Sequence, residues 1–351
     1  MGETNSNSPF KFKLGAQTNV GCVRTNNEDN FVVSTDLAAG EWLLPRDCHT
    51  LFTLGDKGAM LVVADGMGGL DAGEIASRIA VDTVKEFFSA DKITDEIAKD
   101  DSAIRKYMHE AVVAADNAIK KRSKEEEGVK SMGTTLVAAW LFEGFANIVW
   151  CGDSRAYLFN PVSGLAQVTK DHSYVQELVD SGRLLPEYAF DHPDSNIITR
   201  SLGNPRKAAN PDFIRLPLQE GEILLLCTDG LNSMLRDEEI EAVMQETSDD
   251  IDMCTKSLIQ GALDLGGHDN VTVVLCQVAP EENKTPMPEM QQTVSTFTEK
   301  ERKKPVRKLV LWTTGIFFIL LLSCLAWLLS AEGNGQPWKN KIIHWYEQTV
   351  K

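Results

Sequence analysis

Six short apolar runs in this chain, NFVVS, AMLVVADG, TTLVAAWLF, ANIVWCGDSRAYLF, EILLLCTDG and NVTVVLCQV, are rich in β-branched residues, and most of them meet an aspartate. Runs of this length and composition form strands. Between the second and third runs, the stretches Gly73 to Ser89 and Ser102 to Lys121 carry apolar residues at helical spacing, as in Ile75, Ile79, Val84, Phe87 and Phe88. Strands broken by a helical pair, without regular β-α-β alternation, predict an α+β layered domain.

The aspartates add a second constraint. Val63-Ala64-Asp65-Gly66, Cys151-Gly152-Asp153-Ser154, Cys227-Thr228-Asp229-Gly230 and His268-Asp269-Asn270 each join an apolar run to a turn-forming residue, and Glu28-Asp29 stands beside another run. One Asp-Gly at a strand end is ordinarily a turn, because both residues tolerate the dihedrals that a turn needs. Carboxylates at several neighbouring strand ends, however, converge on one sheet edge, where their repulsion calls for a divalent cation. Oxygen ligands with few histidines favour Mg²⁺ or Mn²⁺ over Zn²⁺. A glycine after the aspartate lets a backbone carbonyl approach the ion. Asp65 therefore reads both as a turn residue and as a ligand.

Lys+Arg of 35 against Asp+Glu of 51 gives a net charge of -16. So acidic a chain argues against sequence-independent binding to nucleic acid, and the acid excess serves mainly solubility. The seven cysteines are scattered, without a C-x-x-C pair. That usage predicts a reduced, cytosolic setting and no cysteine–histidine metal cage.

Leu309 to Leu329, LVLWTTGIFFILLLSCLAWLL, is free of charge and long enough to cross the ~30 Å hydrocarbon core as a single helix. Lys300, Arg302, Lys303, Lys304, Arg307 and Lys308 lie just before it, so the positive-inside bias places the N-terminal side in the cytoplasm. Residues 279–308 read as a polar, proline-bearing linker with a basic juxtamembrane end, 309–329 as the span, and 330–351 as a short extracytoplasmic tail. Residues 1–13 form an N-terminal extension to a main domain over 14–278. Between the first two strands, a long connection from Thr35 to Gly58 holds Trp42, Pro45, Cys48 and His49, and either covers a sheet edge or meets a partner.

R-x-x-N-E-D-N (Arg24 to Asn30), V-A-D-G-M-G-G (Val63 to Gly69), S-M-G-T-T (Ser131 to Thr135), G-D-S-R (Gly152 to Arg155), T-D-G (Thr228 to Gly230) and G-H-D-N-V-T (Gly267 to Thr272) occur in that order. Together they resemble the metal-dependent protein serine/threonine phosphatases, the protein phosphatase 2C or PPM family, in its bacterial branch. The resemblance implies a four-layer α+β fold, a central antiparallel β-sandwich flanked by helices, with a two-metal Mn²⁺ or Mg²⁺ site at one edge. By that resemblance Asp65 bridges both metals, and the Gly66 carbonyl binds one of them. Asp229 and Asp269 complete the shell of the first metal, and Glu28 serves the second. Arg24 grips the substrate phosphate, a task suited to a planar fork of donors.

Two such cations would activate a water for in-line attack at phosphorus. Where some members carry a histidine, this chain has Met67, so the proton for the leaving alkoxide is expected from water. Asp153 is the candidate ligand for a third metal, although the acid that would share that ion is replaced here by Ser233, a poorer cation ligand. Asp171 to Gly203 resembles the family's flap beside the site, and His172 and His192 within it read as surface or capping residues.

The expectation is a membrane-tethered, single-pass phosphatase of phosphoserine and phosphothreonine on proteins, its catalytic domain on the cytoplasmic side of a bacterial inner membrane. A serine/threonine kinase would be its opposing partner. The rival readings are a metal-dependent phosphohydrolase of a small phosphoester and a non-catalytic membrane scaffold.

Overall fold

A computed structural model describes residues 10–279 apart from 44–49, 69–71, 99 and 126–131. The strands are β1 Lys11–Asn19, β2 Asp29–Asp36, β3 Glu41–Leu43, β4 Leu51–Thr53, β5 Ala59–Gly68, β6 Met132–Thr134, β7 Leu136–Phe142, β8 Phe145–Cys151, β9 Arg155–Asn160, β10 Gly164–Gln167, β11 Asp212–Pro217, β12 Ile223–Cys227 and β13 Val271–Val278. The helices are α1 Ala72–Phe87, α2 Asp95–Ala98, α3 Asp101–Glu125, α4 Tyr174–Asp180, α5 Asp229–Asn232, α6 Asp237–Thr247 and α7 Ile251–Asp264.

Two antiparallel sheets result, one in the order β10-β9-β12-β13-β1-β4 and one in the order β11-β8-β7-β5-β2-β3, with β6 paired to the end of β5. Strand β5 shows why the central runs are apolar throughout. Ala59, Leu61 and Val63 pack between the sheets with Phe12, Leu14, Leu226 and Val274. Met60, Val62 and Ala64 face the other way, onto Ala76, Val84, Met108 and Val112 of α1 and α3. A strand buried on both faces loses the alternation of polar residues that a half-exposed strand keeps. On the opposite flank, Val271, Val273 and Leu275 of β13 pack against Ile240, Met244, Leu258 and Ile259 of α6 and α7. The expected sandwich flanked by helices is therefore present.

One expected strand divides. ANIVWCGDSRAYLF becomes β8 in one sheet and β9 in the other, and the chain crosses between them at Gly152-Asp153-Ser154. Gly152 makes the crossing at a φ of 127°, where a side chain would also run into Thr135. The connection after β2 supplies two edge strands, β3 against β2 and β4 against β1, so its described part covers sheet edges. Pro45, Cys48 and His49 lie outside the described residues, as does the expected span at 309–329 with its basic flank and tail. Among the described residues, no helix is long and apolar enough to cross a membrane.

Candidate metal centre

At one end of the sandwich, β5 finishes, β2 starts, β12 finishes and β13 starts, and these four strand ends carry the acids. Asp65 follows Val63 by two residues on β5, so its side chain shares the face turned toward the second sheet. Its backbone is pinned on both sides. Asp65 N donates to Thr135 Oγ1 at 3.0 Å, while Asp65 O accepts from Thr134 Oγ1 at 2.7 Å and Thr135 N at 2.9 Å. Thr135 Oγ1 in turn lies 2.7 Å from Ser154 Oγ, beside Asp153. The S-M-G-T-T motif thus holds the aspartate in place from the adjacent strand, a role that its sequence did not disclose.

Next to Asp65, Gly66 N donates to Glu28 O at 3.2 Å, and a side chain at Gly66 would run into the backbone of Gly73 and Glu28. The carboxylate of Glu28 lies against Gly73 at the start of α1. Asn270 ties this segment to β13: its Oδ1 accepts from Glu28 N at 2.7 Å, and its Nδ2 donates to Val20 O and Asn26 O, each at 2.9 Å. Asp269 accepts from Asn270 N through Oδ1 and from Arg24 Nη2 through Oδ2, at 2.8 and 2.6 Å. Arg24 is about half exposed; although burial opposes its charge, Asp269, Glu28 and Asp65 hold it more firmly protonated than usual.

Asp29, opposite Asp65 in the β2–β5 register, belongs to this centre and was missed by the sequence reading. It is buried, and its Oδ2 accepts from Thr228 Oγ1 at 2.8 Å and Thr272 Oγ1 at 2.7 Å. Those threonines precede Asp229 and follow Asp269, so Asp29 sets the spacing of the two strand ends that bear them. Burial, with Asp229 and Asp269 nearby, pushes Asp29 up to about 7.

The other carboxyls feel the same field. Asp65 is raised well above the usual carboxylate range by burial, then by Asp229, Asp29 and Asp153. Burial and Asp269 raise Asp229; burial, Asp229 and Asp171 raise Asp153. Oδ1 of Asp29, Oδ1 of Asp153 and Oδ1 of Asp229 are buried without a hydrogen-bond partner. Among the described residues, no three acidic, histidine or cysteine side chains converge on a single point. They come together pairwise instead, Asp29 opposite Asp65 in the strand register and Asp269 paired with Arg24 at 2.6 Å. The orphaned oxygen of Asp229, with the bare glycine backbone at Gly66 and no histidine among these acids, fits a hard divalent cation.

Of the two histidines in the flap, His192 accepts from Asp194 N at 3.1 Å, a local cap. His172 departs from the surface expectation. It is buried, stacks on Trp150, accepts from Gly152 N at 3.1 Å and pairs with Asp212 at 3.1 Å. It fastens the flap to the crossing between the sheets. Arg155 of G-D-S-R is also structural: it grips Asp171 with Nε and Nη2 at 2.7 to 3.1 Å. Beside Asp153 and Asp229, a cavity of 390 Å³ opens between α4, the turn at Pro186–Tyr188 and the start of α6.

The family model for protein phosphatase 2C matches residues 43–260, a span that includes Asp65, Asp153 and Asp229. The serine/threonine protein phosphatase PstP of Mycobacterium tuberculosis is 34% identical over 266 residues, 76% of this chain and 45% of that protein. This chain therefore matches less than half the length of that relative. The serine/threonine phosphatase of Listeria monocytogenes is 34% identical over 74% of this chain and 94% of its own. Among solved structures, the catalytic domain of PstP in complex with two manganese ions superposes with a TM-score of 0.60 at 31% identity, covering 77% of this chain and 100% of that one.

Proposed function

This chain belongs to the protein phosphatase 2C family of serine/threonine protein phosphatases, and from that premise we propose that it hydrolyses phosphoserine and phosphothreonine on proteins at the acid-lined end of its sandwich. The observation that carries this reading is the buried, unpartnered Oδ1 of Asp229 at the strand ends that Asp29 ties together opposite Asp65, with Arg24 on Asp269 at 2.6 Å. A carboxylate oxygen left without a donor asks for a cation, and an arginine fork next to these acids suits a phosphate.

Asp65, the Gly66 carbonyl, Asp229, Asp269 and Glu28 would hold two Mn²⁺ or Mg²⁺ ions, as the solved PstP domain holds two manganese ions. Bound there, the ions supply Lewis acidity and activate water toward in-line attack on phosphorus. Arg24 orients the phosphoryl group and balances charge on its oxygens. Thr134 and Thr135 keep Asp65 rigid, and Asp29 keeps the Asp229 and Asp269 strand ends at fixed spacing. Met67 has no acidic proton to give, so solvent protonates the leaving alkoxide.

The apolar segment 309–329 and its basic flank would tether this domain to a membrane on the cytoplasmic side, facing the substrates of a serine/threonine kinase. A panel of phosphoserine and phosphothreonine peptides set against small phosphoesters, with Mn²⁺, tests the activity. Peptides should give the higher kcat/KM. Turnover of a metabolite with none of any phosphothreonine peptide would overturn the reading. The full chain should stay with membranes through an alkaline carbonate wash, and recovery in the soluble fraction would refute the tether.

A further inference from the structure

We propose that the cavity beside Asp229 receives a lysine or arginine side chain of the substrate, so that the enzyme prefers phosphorylated segments with a basic residue near the phosphate. The inference rests on the phosphatase reading above and adds a substrate class to it.

The cavity is acid-rich once its internal pairs are counted out. Arg155 is committed to Asp171 and reaches Asp237 at 3.4 Å. Arg236 is committed to Asp191 at 2.7 Å and lies over the Phe190 ring. With Asp229 assigned to the metal centre, Asp153, Glu187 and Glu238 remain, and no lining cation is left to neutralise them. Glu187 and Glu238 are exposed on the rim and have no ion-pair partner among the described residues. Asp153 differs from them. It is only 5% exposed, it lines the cavity, and its Oδ1 is buried without a partner. A buried carboxylate oxygen left unmatched marks where a donor is wanted.

The opposite wall decides what kind of donor. Val175, Val179 and Phe190 line the flap side of the cavity. An apolar wall facing a carboxylate suits the methylene stem and charged head of lysine or arginine, which bury the one and present the other. A bare metal ion would have no use for that wall. It would also need several converging oxygens, and Ser233 supplies only a hydroxyl in place of the acid that would share such an ion with Asp153. The volume of 390 Å³ lies near the small end of ligand-sized sites.

The test uses the Mn²⁺-loaded full chain and phosphothreonine peptides that differ only in one residue, arginine, alanine or glutamate, walked along the positions flanking the phosphate. At one position the arginine peptide should exceed the alanine peptide about tenfold in kcat/KM, with glutamate lowest. In the Glu187→Gln/Glu238→Gln variant that ratio should shrink toward one. A ratio cancels any general loss of active protein. Equal kcat/KM for all three residues at every position overturns the proposal and leaves the phosphatase reading standing. A metal in the cavity would show as a shifted Mn²⁺ requirement in the double variant with no arginine preference, and that overturns it too. No turnover of any peptide overturns both readings.

Discussion

Thr135→Val removes one hydroxyl from behind Asp65 and keeps nearly the same volume. Thr135 is fully buried, and its Oγ1 accepts from Asp65 N at 3.0 Å and lies 2.7 Å from Ser154 Oγ. The valine leaves two buried polar groups without that partner, at about 1–3 kcal/mol each, so a loss of about 3 kcal/mol is expected. In a domain of this size that corresponds to a melting temperature lower by roughly 8 °C. The same loosening acts on the metal centre, because Asp65 is then held only through its carbonyl; a partner of this kind is worth about 10–100-fold in metal affinity. Thermal melts of the metal-stripped protein read the first effect, and Mn²⁺ titration of phosphopeptide hydrolysis reads the second. Thr135→Ser, which keeps the hydroxyl, should recover most of both. A Thr135→Val protein that melts within about 1 °C of the parent and half-saturates at the same Mn²⁺ concentration would refute the reasoning.

Two further outcomes follow from the carboxylates. Asp229→Ala should lower activity at least about a hundredfold, whereas Asp153→Ala, which removes a cavity wall rather than a ligand of the central pair, should cost only about tenfold; equal collapse of both in folded protein, monitored by circular dichroism, would contradict that ranking. The pH dependence has a definite sign. Burial raises Asp29 to about 7, and the folded state holds a proton there that the unfolded chain releases near pH 4. Stability of the metal-stripped protein is therefore fully present below about pH 4 with respect to this group and is lost as pH rises toward 7. Melting temperature in chelator should fall between pH 5 and pH 7.5, while stabilisation by added Mn²⁺ should grow over the same interval; a stripped protein that gains stability as pH rises would contradict it.

Much of the centre was legible in the sequence because its acids sit at strand ends, where an apolar run breaks visibly into Asp-Gly or Asp-Asn. Asp29 was not, although it adjoins Glu28. Neighbouring strand residues point to opposite faces, and nothing local says which face is the cleft. Its partners, Thr228 and Thr272, lie about 200 and 240 residues away, so the hydrogen bonds that reveal its role are properties of the closed sandwich. The division of ANIVWCGDSRAYLF between two sheets was hidden for the same reason: Gly152 marks a turn, but which sheet each half joins depends on long-range pairing. His172 looked like a surface residue because its polar neighbours in sequence suggest exposure; Trp150 and Asp212, which enclose it, arrive from other strands. The helices α1 and α3 announced themselves more plainly, since each buries one stripe against a single sheet.

The central claim is that the acids at this end of the sandwich work by holding metal for phosphoester hydrolysis. The most direct measurement is phosphate release from a phosphothreonine peptide by chelator-stripped protein as Mn²⁺ is added back, for the parent and for Asp229→Asn. The parent should be inactive without metal and should recover with saturating Mn²⁺ dependence, and Asp229→Asn should stay near background throughout. Undiminished turnover by the stripped protein, or full recovery of the Asp229→Asn variant at the same Mn²⁺ concentration, would contradict the account.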